Sequence, residues 1–396
     1  MSTFITGPPI NAASLRASWT EVEKLGDEAA RIFYSLLFAA EPATRSMFPA
    51  GMTEQRDKLL SALGHIISNV DDTNLLADFA AQLGRDHRRF GVVAHHYKAV
   101  GNALMETLRR ALGRHWTPEL ETEWQRAYDL IAAMMVDGAR ADEQVNPPAW
   151  RGTIEHIDRR SPDLAALTVA VDLPYHFMPG QSCAVEHPSR PGVWRYLTPI
   201  NPPRDDNRLG FLVRAVPGGL LSPALVYQAK PGDLLRIGAP VGTALTGWHR
   251  DPGPVLFIAG GTGLAPFAAV IQHLATDPTW RWPVTLIYGV DQPHELREVN
   301  ALRELERHLP WLTIVPVVSR DPDWTGYRGT AVEVAVRGGE FHDRYVYLCG
   351  SEAMIGGSIA MLLANGYSRR QIRVETFTST SYPPLAPLAL PSGVTS

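Results

Sequence analysis

Apolar residues in the first part of the chain recur at the spacing of one helix face. Up to about residue 148, positions such as Leu59, Leu63 and Ile66 follow one another at intervals of three or four residues, which is typical of an amphipathic α-helix. Glycine and proline are sparse there and stand where helices should end. The pattern predicts roughly six to eight helices and no strands, and thus an all-α domain.

The hydrophobic pattern changes after Asn146-Pro147-Pro148, which reads as a linker. Short β-like runs separated by glycine and proline follow and predict a small antiparallel β-barrel. From about residue 253, strand-like runs alternate with helical stretches, which indicates an α/β domain with a parallel sheet. We therefore expect domains over residues 1–148, 149–250 and 251–380. Residues 381–396 are rich in Pro, Ser and Leu and are expected to form a flexible tail.

Composition excludes several classes of function. The chain has 396 residues and a net charge of −4, so it has no basic surplus for nucleic acid. Its two cysteines, Cys183 and Cys349, are too few for a disulfide scaffold, a structural zinc site or an iron–sulfur cluster. It shows no signal-peptide pattern and no apolar run of about 20 residues, so stable membrane insertion is not expected. We expect a cytoplasmic monomer that acts on small molecules.

Two motifs in the α/β part point to a nucleotide. Gly260-Gly261-Thr262-Gly263 follows a buried-type strand and precedes a helical run. Glycines there let the backbone and a helix N-terminus approach a pyrophosphate, although a structural strand–helix turn gives the same pattern. Cys349-Gly350 ends another strand, where such sheets bind ligands. Cys349 lies either beside a nicotinamide or in the core as a structural cysteine.

Further positions suit a flavin or a nucleotide phosphate. In the barrel, the Arg195 guanidinium and the Ser222 hydroxyl suit a flavin pyrophosphate, although an arginine at a strand edge is commonly a surface residue. Ser319-Arg320 follows a strand and either holds a 2′-phosphate, which favours NADPH, or is a surface pair. Near the end of the chain, an aromatic at Phe377 suits a flavin edge. The candidate cofactor positions in this part of the chain are Arg195, Tyr196, Leu197, Thr198, Gly219, Ser222, Gly260, Gly261, Thr262, Gly263, Ser319, Arg320, Cys349, Gly350 and Phe377. In their order and spacing they resemble the ferredoxin–NADP reductase family.

The helical part contains, in this order, Tyr34, Phe48, Gln55, His87 and Tyr97, and the predicted barrel and the Gly-Gly-Thr-Gly motif come after them. In this order the helical part resembles a globin, and the chain resembles the flavohaemoglobins over about residues 10–378. The resemblance implies a globin joined to a reductase that binds haem b, FAD and NAD(P)H. It also implies a nitric oxide dioxygenase, in which electrons pass from NAD(P)H through FAD to haem iron, and O2 converts nitric oxide to nitrate.

The resemblance also implies roles for residues around the haem. His87 would be the iron ligand, and Tyr34 and Gln55 would lie on the opposite, distal side, where a donor stabilises bound oxygen. Tyr97 would lie beside the ligand histidine and tune its basicity. Each tyrosine is alternatively a core residue with a satisfied hydroxyl. The residues implied to pack on the haem are Phe48 and Leu59.

Three departures from the family pattern modify these expectations. The family has a glutamate in its last globin helix where this chain has Ala139, so we expect a less basic His87 unless Asp142 substitutes. Leu197 stands where the family's flavin-stacking tyrosine is expected, and Tyr196 is one place away. Asp86 replaces a residue that is often basic in relatives. These departures leave two alternatives open: a flavin–haem oxidoreductase with a hydroxy-acid-type donor, and a gas-binding or sensing globin with a self-reducing module.

Overall fold

The computed structural model describes residues 10–249 and 253–376 and divides between Ala149 and Trp150 into two compact units. The first unit contains the predicted all-α part, and the second contains the predicted β-barrel and α/β parts. Residues 250–252, Phe377 and the predicted tail over residues 381–396 lie outside the described residues.

Six α-helices form the described part of the first unit, and it contains no strand. Side chains of Asn11, Asp72 and Thr117 accept backbone N–H groups at the N-termini of three of them, which satisfies donors that have no partner within the helix. The helices are α1 (Ala12–Glu23), α2 (Asp27–Ala40), α3 (Thr53–Ser68), α4 (Thr73–Arg88), α5 (His96–Leu112) and α6 (Pro118–Glu143).

Helices α4 and α6 touch backbone to backbone through two glycines. A methyl group at Gly84 would collide with the carbonyl oxygen of Met135, and one at Gly138 would lie 2.5 Å from Cα of Ala81. No side chain separates the two helices at these points. The C-terminal turn of α4 is therefore wedged against α6.

The first half of the second unit is an antiparallel sheet in the order β4-β3-β6-β1-β2-β5. An isolated bridge between Pro199 and Phe211 links the chain beyond β4 to β5, which closes the sheet into a barrel. Apolar side chains on alternate positions fill its interior. The elements are β1 (Trp150–Ser161), β2 (Leu164–Val171), β3 (Ser182–Glu186), β4 (Arg195–Leu197), β5 (Arg208–Arg214), the short helix α7 (Leu221–Pro223) and β6 (Leu234–Val241).

The second half of this unit is a parallel sheet in the order β10-β9-β8-β7-β11-β12 with helices between the strands. The elements are β7 (Val255–Gly260), α8 (Leu264–Leu274), β8 (Val284–Val290), α9 (Asn300–Glu306), β9 (Leu312–Val318), β10 (Tyr327–Arg328), α10 (Ala331–Val336), β11 (Tyr345–Gly350), α11 (Glu352–Ala364) and β12 (Ile372–Thr376). The carboxyl ends of the strands in a parallel sheet all lie at the same edge of the sheet, and ligands bind at that edge. The predicted order of an all-α, an antiparallel β and a parallel α/β part is confirmed.

No helix in the described ranges combines the length and the apolar character that crossing a bilayer requires.

Candidate functional site

His87 lies near the C-terminus of α4 with one ring nitrogen already engaged. Its Nδ1 is 2.7 Å from the carbonyl oxygen of Leu83. Because a carbonyl only accepts, Nδ1 carries the proton and Nε2 keeps its lone pair. Burial lowers the pKa of His87, which favours the neutral ring. A neutral imidazole with a free lone pair is the donor that haem iron takes from a globin, so this residue fits the expected ligand role.

Tyr34 and Gln55 meet on another side of the helical core. Gln55 Nε2 donates to the Tyr34 hydroxyl at 3.2 Å, and that hydroxyl donates to the backbone carbonyl oxygen of Gln55 at 3.4 Å. The Phe48 ring packs edge-on against Tyr34, and Leu59 joins the same apolar cluster. Burial raises the pKa of Tyr34 to about 12, so the hydroxyl keeps its proton. The structure thus brings Tyr34 and Gln55, the two residues expected on the distal side, into one apolar cluster with Phe48 and Leu59, which were expected to pack on the haem.

The carboxylate expected beside the ligand histidine is engaged elsewhere. Asp142 is buried and pairs with Arg88, and it also accepts from Asn146 Nδ2 at 2.8 Å. The idea that Asp142 replaces the carboxylate missing at Ala139 therefore has no support in the structure.

Tyr97 lies on α5, and burial raises its pKa to about 12. Within the described residues, the hydrogen bond recorded for the His87 ring is the one to a backbone carbonyl.

Asp86, the third departure, points into the protein. Its side chain is buried and pairs with Arg89 at 3.0 Å, and burial raises the pKa of its carboxyl. Asp86 therefore contributes to the packing of α4 rather than to the charge of the surface.

The register of β4 changes the assignment of the flavin-facing tyrosine. Leu197 lies opposite Cys183 and packs against the barrel core, whereas Tyr196 lies opposite Ala184. Neighbouring residues of a strand face opposite sides, so Tyr196 points away from the core. Ser182 shares this outer face of the barrel, and it contacts the α/β half. Leu197 therefore does not occupy a flavin-stacking position, and Tyr196 is on the side that a flavin can reach.

Other expected flavin residues lie around the same barrel. The Thr198 hydroxyl is buried and meets no hydrogen-bond partner among the described residues, which leaves a polar group for a ligand to satisfy. Gly219 and Ser222 build a turn, in which the Ser222 hydroxyl accepts from the Val216 N–H at 3.1 Å. Arg195 Nη1 donates to the Trp194 carbonyl at 2.9 Å. An unpartnered buried hydroxyl beside a polar loop fits a bound flavin.

The glycine-rich turn brings the ends of β7 and β11 into direct contact. Gly261 has a φ of 53°, which favours glycine. A Cβ at Gly263 would collide with the Cys349 carbonyl oxygen, and one at Gly260 would lie 3.0 Å from Sδ of Met354. Gly260, Gly261, Thr262 and Gly263 thus lie beside Cys349 and Gly350 at the ligand-binding edge of the sheet.

A buried carboxyl that the sequence analysis did not single out lies at this edge. Glu375, on β12, accepts from the Ser182 hydroxyl at 3.2 Å, which joins the α/β half to the barrel. Burial raises the pKa of Glu375 to about 7. Cys349 is buried too, and its burial together with the neighbouring Glu375 carboxylate raises the pKa of the Cys349 thiol. Cys349 therefore stays protonated. Residues 372–375, Ile-Arg-Val-Glu, alternate apolar and charged side chains, so the sequence held no signal that Glu375 is buried.

Glu375 predicts a pH dependence of stability. Because its pKa is raised, its contribution is complete below the ordinary glutamate value of 4.5 and is lost as the pH rises through about 7. We expect this group to lower the free energy of unfolding of the second unit by about 3 kcal/mol between those limits. Urea unfolding at several pH values measures the free energy of unfolding. In the native protein this free energy should fall between pH 4.5 and 7, and Glu375→Gln should remove that fall. An unchanged fall in Glu375→Gln, or its removal in the exposed-residue control Glu304→Gln, would contradict the assignment.

Ser319 and Arg320 follow β9 at the same edge, next to an acidic residue. The Ser319 hydroxyl donates to Oδ1 of Asp291 at 2.8 Å, and Arg320 Nε lies 3.6 Å from the same oxygen. Arg320 is otherwise largely exposed. The expected 2′-phosphate contacts are therefore already directed at a carboxylate.

Comparison with known families agrees with this arrangement. The chain matches the Globin family over residues 31–135, the oxidoreductase FAD-binding domain over residues 151–245 and the oxidoreductase NAD-binding domain over residues 257–358. Each match falls on the part of the fold that carries the corresponding candidate residues. The expected cofactors, haem, FAD and a nicotinamide nucleotide, agree with these three domains.

Individual relatives match either nearly the whole chain or little more than half of it. A flavohaemoprotein of Bordetella pertussis is 25% identical over 394 residues, which cover 92% of this chain and 97% of the relative. The reductase component of phenol 2-monooxygenase from Pseudomonas sp. (strain CF600) is 30% identical over 58% of this chain, and the match spans 65% of that relative, just under two thirds. The structure of a flavohaemoglobin from Malassezia yamatoensis, with bound FAD and haem, has a similar fold, with a TM-score of 0.76 and 19% identity over 93% of this chain and 98% of that one.

The domains, their order and the full-length relatives agree with one assignment. The FAD- and NAD-binding domains make the protein an NAD(P)H-dependent oxidoreductase, and the haem of the globin domain accepts the electrons. In the content and order of its domains, a globin followed by the FAD- and NAD-binding domains of an oxidoreductase, the chain is similar to the flavohaemoproteins that match it over nearly its whole length.

Proposed function

We propose that this protein is a nitric oxide dioxygenase that oxidises nitric oxide to nitrate with O2 and electrons from NAD(P)H. The observation that carries the proposal is the Tyr34–Gln55 pair, a protonated hydroxyl and an amide in an apolar, aromatic surrounding. Haem would supply the iron that binds O2, and FAD would split the hydride of NAD(P)H into single electrons. His87 would hold the haem through Nε2.

The residues around these cofactors have separate tasks. The Tyr34 hydroxyl, whose proton is directed at the Gln55 backbone carbonyl at 3.4 Å, would donate that proton to the oxygen on which negative charge develops, while the Gln55 side-chain amide keeps the hydroxyl in place. In the second unit, the turn of residues 260–263 leaves room for a pyrophosphate. Tyr196 lies on the outer face of the barrel, where it would cover a bound flavin. Ser182 and Glu375 share a hydrogen bond, and thus hold a proton, where the barrel meets the parallel sheet.

The distal hydroxyl gives a prediction for Tyr34→Phe. Losing one hydrogen bond to a charged oxygen costs about 1.5–3 kcal/mol, so O2 should leave the reduced protein roughly 10- to 100-fold faster. Stopped-flow measurement of O2 dissociation checks this. Tyr128→Phe is the matched control, because the Tyr128 hydroxyl donates to the Tyr97 backbone carbonyl. Equal O2 dissociation rates in the native protein and Tyr34→Phe would contradict the role of Tyr34.

A direct test of the function follows nitrate. The purified protein is first titrated with NADH without oxygen, and both haem and flavin bands should shift to their reduced forms. With O2 and nitric oxide added, nitrate should appear in proportion to the nitric oxide consumed. Reduction of the cofactors without nitrate production would reject the proposed activity.

A gas-binding or sensing globin is the second candidate function. It is favoured by the proximal side, where His87 donates to a backbone carbonyl and Asp142 is held by Arg88, so the ligand has less anionic character. Tight gas binding with negligible nitrate production would support it. A hydroxy-acid donor loses its motivation, because Leu197 faces the barrel core and Tyr196 is available on the outer face.

We propose that the protein acts as a cytoplasmic monomer, with domain boundaries near residues 148 and 250. Both cysteines are buried, which suits a reducing compartment. Sedimentation of the loaded protein tests the monomer.

A further inference from the structure

Asp291 lies where a dinucleotide's adenosine ribose is recognised in parallel α/β sheets. β7 ends in the glycine-rich turn, and β8, its neighbour in the sheet, ends at Val290, so Asp291 is the first residue beyond it. β9 lies on the far side of β8 and ends next to Ser319. The three strand ends share one edge because the strands are parallel. In this fold class an acidic residue after the second strand binds the ribose 2′-hydroxyl, whereas an arginine accommodates a 2′-phosphate.

The position of Asp291 is fixed by its backbone. The N–H groups of Asp291 and Gln292 each donate to Oε2 of Glu295 at 3.1 Å. Glu295 in turn pairs with Arg214 of β5, and Asp291 O accepts from the Arg320 N–H at 3.0 Å. The side chain of Asp291 is 56% exposed. A substitution at this side chain therefore leaves the backbone contacts intact, and a ligand can reach the carboxylate.

The groups that would bind a 2′-phosphate are already directed at this carboxylate. Ser319 donates its hydroxyl proton to Oδ1 of Asp291, and Arg320 lies 3.6 Å from the same atom. Arg328, which follows on β10, donates to the Trp324 carbonyl at 2.7 Å and to the Pro322 carbonyl. A phosphate at this point would meet a carboxylate of like charge, whereas a ribose diol can donate to that carboxylate.

We propose that Asp291 selects NADH over NADPH as the electron donor, by accepting a hydrogen bond from the adenosine ribose and repelling a 2′-phosphate. The proposal deepens the nicotinamide dependence of the oxidoreductase and rests on it. It replaces the alternative in which Ser319 and Arg320 hold a 2′-phosphate. In it, Ser319 and Arg320 orient the Asp291 carboxylate.

The test compares the two nucleotides on the haem- and FAD-loaded protein, with ferricyanide as the electron acceptor so that the readout does not depend on the globin. We expect a higher kcat/KM for NADH than for NADPH in the native protein. Asp291→Asn should lower the ratio of the two kcat/KM values at least ~10-fold, because each tenfold corresponds to about 1.4 kcal/mol and like charges cost more than that. Asp291→Glu, which keeps the charge, should preserve the preference for NADH.

Glu304→Gln, which removes a charge from an exposed position on α9, is the matched control and should leave the ratio unchanged. Native protein that uses NADPH as well as NADH would overturn the proposal, and so would Asp291→Asn with an unchanged ratio. Failure of both nucleotides to reduce the flavin would instead remove the nicotinamide dependence, and the proposal with it. Calorimetric titration with NAD⁺ and NADP⁺ measures binding without turnover. It therefore distinguishes a protein that binds both nucleotides equally from one that binds neither.

Discussion

His87→Ala is expected to yield a protein that contains flavin but almost no haem. His87 presents Nε2 because its Nδ1 proton is donated to the Leu83 carbonyl. Alanine removes the proposed iron ligand and is a good helix former, so α4 should be preserved. We expect the haem-to-protein ratio to fall more than ~10-fold, as every 1.4 kcal/mol of lost binding is a factor of ten. The Soret absorbance relative to the flavin absorbance is the measurement.

Two further variants separate ligand loss from misfolding. His87→Gly with added imidazole should recover haem binding, because imidazole restores the missing donor without a covalent link. His95→Ala, at an exposed histidine just before α5, should bind haem normally. A normal Soret band in His87→Ala would reject His87 as the ligand.

Gly263→Ala is expected to disrupt the nucleotide edge of the second unit. The added methyl group would collide with the Cys349 backbone carbonyl, which cannot rotate away as a side chain could. Overpacking of this kind costs typically about 1–3 kcal/mol, and a backbone obstacle puts this site at the upper end. NADH-driven reduction of ferricyanide should fall with the stability, since the same shift separates the ends of β7 and β11.

Gly356→Ala provides the opposite result in the same domain. Gly356 is exposed on α11, and a methyl group there would meet nothing within 4 Å. Glycine in a helix is entropically costly, so this variant should be stabilised by about 0.4–1 kcal/mol. Chemical unfolding monitored by fluorescence measures both changes. Equal stability of Gly263→Ala and the native protein would show that the β7–β11 contact is not tight in solution.

The domain order was predictable because each part has its own hydrophobic period. Helical spacing, short alternating runs and strand–helix alternation are local properties of the sequence. The resemblance also implied that Tyr34, Gln55 and Phe48 lie near one another, and in the structure Gln55 and Phe48 contact Tyr34. Local patterns are sufficient for the type and order of the elements, whereas the resemblance was needed to bring residues of α2 and α3 together.

Properties that depend on a partner element were not predictable. The pairing of β4 with β3 decides which of Tyr196 and Leu197 faces the barrel core. Aligning the sequence with the family motif one residue out of register assigns the two side chains to the wrong faces. The pairing of Asp142 with Arg88 depends on the packing of α6 against α4. The environment of Glu375 depends on Ser182, which lies far away in sequence. Each requires long-range contacts that one-dimensional spacing does not contain.

The glycine contact between α4 and α6 has a consequence for electron transfer. Gly84 and Gly138 leave no side-chain layer that could yield, so the turn that carries His87 has little freedom to slide or rotate. If His87 holds a haem as proposed, this rigid attachment would keep the imidazole in nearly the same position in both oxidation states of the iron. The histidine would then contribute little to the inner-sphere reorganisation energy of electron transfer to the globin.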